Sequence, residues 1–179
     1  MGKSYDRCPD AVMDRVTRMI ALYHSELRDA EVTLDLLFVN TTSETEPALK
    51  HNGVTAYATV RATSLKERAL GHADAEIIID QVVFEKLSEG QKDALLDHEL
   101  EHLACAKEED GGYKVDDAHR PVLKMRKHDV QFGWFASVAL RHGPNSIERM
   151  QAREIELKAQ IDALLKRAAQ TDKTEADEP

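Results

Sequence analysis

Val12, Val16, Met19, Ile20, Tyr23 and Leu27 recur three and four residues apart. That spacing stacks apolar side chains along one face of a helix, so an amphipathic helix is expected from Asp10 to Asp29. The pattern then changes. Val32 to Val39 and Val54 to Thr63 are rich in β-forming residues. They read as two strands that pair, joined by a polar connection containing Glu44, Glu46 and Pro47. Glu76 to Asp80 reads as a third strand and Gln81 to Leu87 as a short helix. Helix, strands, then a further helix is an α+β order.

Ser88-Glu89-Gly90-Gln91 has the form of a capping box, with Ser88 as N-cap and Gln91 reaching back. The run after it is free of Pro and further Gly until Gly111, which predicts a helix of about five turns. Leu96, Leu100 and Leu103 form an apolar stripe for the core, with Leu95, His98, His102 and Cys105 on the opposite side. Cys105 reads as a buried small residue rather than a metal ligand. Glu108 to Gly112 is a turn, followed by a loose hairpin from Tyr113 to Arg126 and a second helix from Val130 to Arg141. Further on, Ile147, Met150, Leu157, Ile161, Leu164 and Ala168 fall on heptad positions, interrupted once by Glu154. A long helix from about Ser146 to Ala169 is expected there, either docked on the domain or self-associating with another copy. Thr171 to Pro179 is acidic and lacks large apolar residues, so it is expected to be disordered.

With 179 residues and 42% hydrophobic content the chain can bury one core. The organisation read from these patterns is a domain over residues 1–143, an amphipathic helix over 144–170 and a tail over 171–179. No apolar run approaches a membrane span and the N-terminus carries no hydrophobic leader, so no membrane partner is expected and the location read is cytoplasmic. The two cysteines, Cys8 and Cys105, do not suggest a disulfide framework, which agrees with a reducing compartment. A net charge of −9 argues against broad nucleic-acid binding. Arg120, Lys124, Arg126 and Lys127 are the local exception. They read first as a solvated face and second as a contact for an acidic substrate or DNA.

His98-Glu99-Leu100-Glu101-His102 carries the candidate chemistry. On a helix, positions four apart lie one turn up the same face, so His98 and His102 can aim two imidazoles at one metal ion. Glu99 then sits beside that ion as the base for an attacking water, the pattern of zinc hydrolases. Such sites usually take a third protein ligand. His24, His51, His72, His119, His128 and His142 remain, and His128 is the strongest candidate because an extended segment turns into the second helix there. Asp129 would cap that helix or accept a histidine N–H.

The stretch from Ala75-Glu76-Ile77-Ile78-Ile79-Asp80 through Asp97-His98-Glu99-Leu100-Glu101-His102 to Arg126-Lys127-His128-Asp129-Val130 resembles the phage metallopeptidases, small proteins of phages and prophages similar in outline to minimal SprT-like zincins. The resemblance covers roughly residues 10–142 and rests on the combination of the two histidine segments. It implies a minimal zincin-like α+β domain with a small, mostly antiparallel sheet. It also implies a Zn²⁺ site of His98, His102 and His128, with Glu99 as catalytic base.

The expected activity is therefore hydrolysis of peptide bonds in a protein or peptide substrate by a metal-activated water. Tyr113, His119, Arg120 and His142 are the candidates for a transition-state donor, and the sequence does not choose among them. Two alternatives stand beside this reading. One is a metal-stabilised binding or scaffold protein without catalysis, which the intact Glu99 disfavours. The other is a DNA-associated, SprT-like protein, which the overall charge disfavours.

Overall fold

The structure is a computed structural model that describes residues 2–41, 47–51, 54–128, 144, 149, 152–161 and 163–165. The chain divides into two units, Met1–His128 and Asp129–Pro179.

The first unit is built on a mixed sheet. β2 (Leu34–Thr41) and β6 (Ala75–Asp80) run parallel at its centre, with Leu36 opposite Ile77 and Phe38 opposite Ile79. β1 (Lys3–Arg7) lies antiparallel outside β2, and β5 (Ala58–Ala62) lies antiparallel outside β6, so the order is β1-β2-β6-β5. Two of the three pairings are antiparallel, as expected for the sheet. The strands read as direct partners are not paired, because β6 lies between β2 and β5.

β2 and β6 are apolar on both faces because both faces are covered. On one face Leu36, Phe38, Ile77 and Ile79 pack with Val12, Val16 and Met19 of α1 (Asp10–Tyr23) and with Leu96 and Leu100. On the other, Val39 packs with Ala48 and Leu49, flanked by Ile78 and Ala56. Leu96, Leu100, Ile77 and Ile79 are wholly buried, and each contributes about 1.5–3 kcal/mol relative to an exposed position.

The single helix expected from Asp10 to Asp29 is broken at His24, which separates α1 from α2 (Ser25–Asp29). There the His24 backbone leaves helical geometry at φ −116 and ψ 60, and its Nε2 lies 2.7 Å from Asp97 Oδ1. The break thus coincides with a side-chain anchor to the motif helix. Two short helices follow, α3 (Leu65–Ala69), opened by a Ser64–Glu67 capping box, and α4 (Gln81–Lys86), capped by Asp80.

The motif helix α5 (Glu89–Glu101) begins with the expected capping box, Ser88 accepting from the Gln91 N–H and Gln91 accepting from the Ser88 N–H. It is shorter than expected. His102 is its C-cap, and the chain continues at once into β7 (Leu103–Cys105), antiparallel to β8 (Leu123–Met125). Pairing with β8 outweighs helical propensity because it buries Leu103 and Cys105 in the core while satisfying their backbone groups. Cys105 is therefore a buried core residue on a strand, not part of a helix face. Both cysteines are free thiols.

In the second unit, residues 152–161 and 163–165 are helical, with a Glu154–Lys158 ion pair one turn apart. Leu157, Ile161 and Leu164, expected on one heptad stripe, are exposed. The helix expected from Val130 to Arg141, the cap at Asp129, His142, the residues Glu44 and Glu46 and the tail 171–179 lie outside the described residues. No helix among the described residues is long and apolar enough to cross a membrane.

Candidate metal centre

α5 contributes His98 and Glu99 from its last turn and His102 from its C-cap. The strand that follows provides the third imidazole indirectly. β7 leaves α5, the loop from Ala106 to Val122 returns as β8, and three residues beyond Met125 the chain reaches His128. The return is clamped to the helix end, since the Arg126 N–H donates to the His102 carbonyl at 2.7 Å. The expected loose hairpin is thus a β-hairpin whose first strand sequence reasoning had placed on the helix.

His98, His102 and His128 each offer a ring nitrogen, and all three nitrogens lie within 4.8 Å of one another. The His98 and His128 Nε2 atoms are 3.2 Å apart. Two nitrogens held at 2.0–2.1 Å by one tetrahedral ion would be about 3.4 Å apart. The ring centroids are separated by 5.0, 5.1 and 4.6 Å. Among the described residues this is the group of His, Cys, Asp and Glu side chains close enough to share a metal ion.

His102 is oriented for such a role. Its Nδ1 lies 2.8 Å from the Arg126 carbonyl oxygen. A carbonyl can only accept, so Nδ1 carries the proton and Nε2 keeps its lone pair. Burial, with the neighbouring His102 and His128, holds His98 below the ordinary imidazole range. That favours the neutral form, the one that can ligate a metal.

Glu99 is buried at 5% exposure and makes no side-chain hydrogen bond among the described residues. Burial pushes its carboxyl above the usual range, with the neighbouring His102 acting in the other direction. A carboxylate with a raised proton affinity and no competing partner is suited to exchange a proton with a substrate or water.

The three histidines and Glu99 open on one cleft of about 380 Å³. Its other walls are Ala58, Thr59 and Val60 of the edge strand β5, Met125, and the segment Leu49–Lys50. The ladder bonds pair Tyr57 with Asp80 and Thr63 with Asp74, so the N–H and C=O of Ala58, Val60 and Ala62 point away from β6, along the free edge.

The chain itself matches the sequence profile of the family described as putative phage metallopeptidase over residues 4–162. The chain belongs to this family. The comparisons with curated proteins and with solved structures return no match.

The remaining residues considered from the sequence are placed elsewhere in this family member. Arg120 is turned inward, its Nε donating to Asp74 Oδ1 at 2.9 Å. His119 stands in left-handed backbone (φ 58) and lines a different cleft with Arg120 and His72. Tyr113 packs against the core under the Lys107 ammonium. None of these three lines the histidine cleft. Arg126 pairs with Glu101, so the four expected basic residues do not form one free patch. Sequence reasoning missed His24 and Asp97 as an anchor for α5, Asp80 as the acceptor that holds the Ala48–Leu49 backbone, and Lys50 as part of the cleft wall. Of these only Asp80 left a signal, an Asp directly before a helical stretch.

Proposed function

We propose that the chain is a zinc-dependent metallopeptidase that hydrolyses peptide bonds, with His98, His102 and His128 as metal ligands and Glu99 as general base. The observation that carries this reading is the convergence of three imidazoles beside an unbonded, buried carboxylate. An all-imidazole donor set suits zinc, and Zn²⁺ bound there would supply Lewis-acid polarisation of water and of the scissile carbonyl.

The chain's own residues do the rest. The Arg126 carbonyl holds His102 in one tautomer and one orientation. Glu99 accepts a proton from the attacking water on a carboxylate oxygen and returns it to the leaving nitrogen. The outward N–H and C=O groups of Ala58 and Val60 offer an extended peptide a strand to lie against, which fixes the scissile bond beside the histidines. The substrate is therefore a peptide or an extended segment of a protein. Free Cys8 and Cys105 support residence in a reducing cytoplasm, that of a bacterial host for a phage-encoded chain.

The test is Glu99→Gln. Zinc content should stay at the wild-type level while cleavage of a mixed peptide pool falls by at least about a hundredfold. Equal cleavage by the variant would remove Glu99 from the mechanism.

A further inference from the structure

The wall of the cleft outside the three histidines is nearly free of charge. Among the described residues that line it, Glu99 is the one acid and Lys50 the one lysine or arginine. The rest of the wall beyond the histidines is small or apolar apart from Thr59. Lys50 is exposed and has no ion pair or side-chain hydrogen bond among the described residues. Lysines without an ion pair are common among the described residues, and what distinguishes Lys50 is its place on the cleft wall, where the buried Glu99 is the one acid beside it.

Its backbone is not that of a loose surface lysine. Asp80 is wholly buried at the end of β6. Its Oδ2 accepts from the Ala48 and Leu49 N–H groups, the latter at 2.9 Å. The Leu49 carbonyl in turn accepts from the Ala56 N–H at 3.1 Å. Lys50 then opens β3 (Lys50–His51), paired with β4 (Val54–Thr55) through Lys50 opposite Thr55. Three fixed backbone bonds immediately before Lys50 set where its side chain starts, and β4 leads directly into the free edge strand β5.

We infer that Lys50 is a specificity-determining residue that selects a substrate carrying a carboxylate, from an acidic side chain or a free C-terminus, next to the bond held at the histidines. The inference deepens the peptidase reading and rests on it for the location of the scissile bond. An ammonium on a fixed backbone at the mouth of a partly apolar cleft gains a charge-assisted contact with a carboxylate. It disfavours Lys and Arg at the same place by like-charge repulsion. Glu99 is buried whereas Lys50 is exposed, and no ion pair joins the two, so Lys50 is left to meet a substrate carboxylate.

The experiment uses the full chain, loaded with zinc and silenced by Glu99→Gln, and reads binding rather than turnover. A random peptide mixture is passed over the immobilised protein, and retained peptides are identified by mass spectrometry. Peptides with Asp or Glu should be retained about three- to fivefold over those without, or the whole free-carboxyl mixture by that factor over its amidated counterpart. Lys50→Glu should reverse the preference toward Lys and Arg, and Lys50→Met should abolish it, both with unchanged zinc content. A parallel mixture with amidated C-termini separates the two sources. A preference for Asp and Glu that survives amidation assigns a side-chain carboxylate, and overall retention that falls on amidation assigns the C-terminus. Retention with neither a preference for Asp and Glu nor a loss on amidation, retention unaltered in Lys50→Glu, or no retention above a zinc-free control overturns the inference. Incubating the same mixture with the Glu99-intact protein keeps the two readings apart. Acid-selective retention without any cleavage sinks the peptidase reading alone, and cleavage indifferent to charge sinks the Lys50 reading alone.

Discussion

Replacing Asp80 by Ala perturbs the cleft wall without touching the histidines. The carboxylate is fully buried and accepts three backbone N–H bonds, from Ala48 and Leu49 on Oδ2 and from Val83 on Oδ1. In the alanine variant the Ala48 and Leu49 amides, on residues only 6% and 8% exposed, lose their acceptor. Each unpaired buried amide costs about 1–1.5 kcal/mol at the lower end of the usual range. The lost N-cap of α4 adds about 1 kcal/mol. The sum is about 3–4 kcal/mol, a large share of a domain's total stability. Asp80→Asn keeps the shape and part of the acceptor capacity, so it should cost about half as much. Urea unfolding followed by circular dichroism measures both, and unchanged m-values would place the effect in stability rather than in compactness. An alanine variant within 1 kcal/mol of wild type would refute the account of Asp80 as the anchor of this wall.

Further expectations follow from other contacts. Arg68 is 7% exposed in its side chain and pairs with the buried Asp74 at 2.6 Å and with Asp116 at 3.1 Å. Arg68→Met leaves Arg120 as the cation on Asp74, beside the Thr33 bonds, and should cost about 3 kcal/mol, seen as a lowered urea midpoint; a shift under 1 kcal/mol would mean that Arg120 and Thr33 suffice. On acidification, burial alone would raise the Asp74 carboxyl, but bonds from Thr33, the charge of Arg120 and a bond from Arg68 hold it below the usual range. The Arg61 bond brings Glu67 down to about 2. Both pKa values are depressed, so the stabilisation is complete above about pH 4.5 and disappears as pH falls toward 2. Thermal melts should show Tm dropping across that window, less steeply in Arg61→Ala; a flat profile would contradict the pairings. Leu100→Ala, at a wholly buried position of α5, should lower stability by about 2–5 kcal/mol, measured by the same urea titration.

The parts of the fold that were legible in the sequence are those set within a few residues. The capping box at Ser88, the helical spacing of Val12, Val16 and Met19 and the apolar run of β6 are local signals, and each element formed. The placement of His98 and Glu99 on one helical turn was legible for the same reason. The misreadings concern partners distant in sequence. His24 interrupts its helix where Asp97, on α5, comes within 2.7 Å. Leu103 to Cys105 leave the helix because β8 pairs with them. β2 and β5 are separated because β6 completes both their ladders. His128 stood out in the sequence from its position before a change of element, while the route that delivers it, through the β7–β8 hairpin and the Arg126 clamp, did not. Lys50 gave no sign at all, since a single lysine becomes notable only when the wall around it is known to hold no other lysine or arginine.

The most direct test of the central claim is the metal content of the purified, zinc-loaded chain by inductively coupled plasma mass spectrometry, beside His128→Ala. The account predicts about one zinc per wild-type chain and a loss in the variant as severe as that in His98→Ala. Zinc retained at the wild-type level in His128→Ala, or no zinc held by the wild type, would contradict the three-histidine centre.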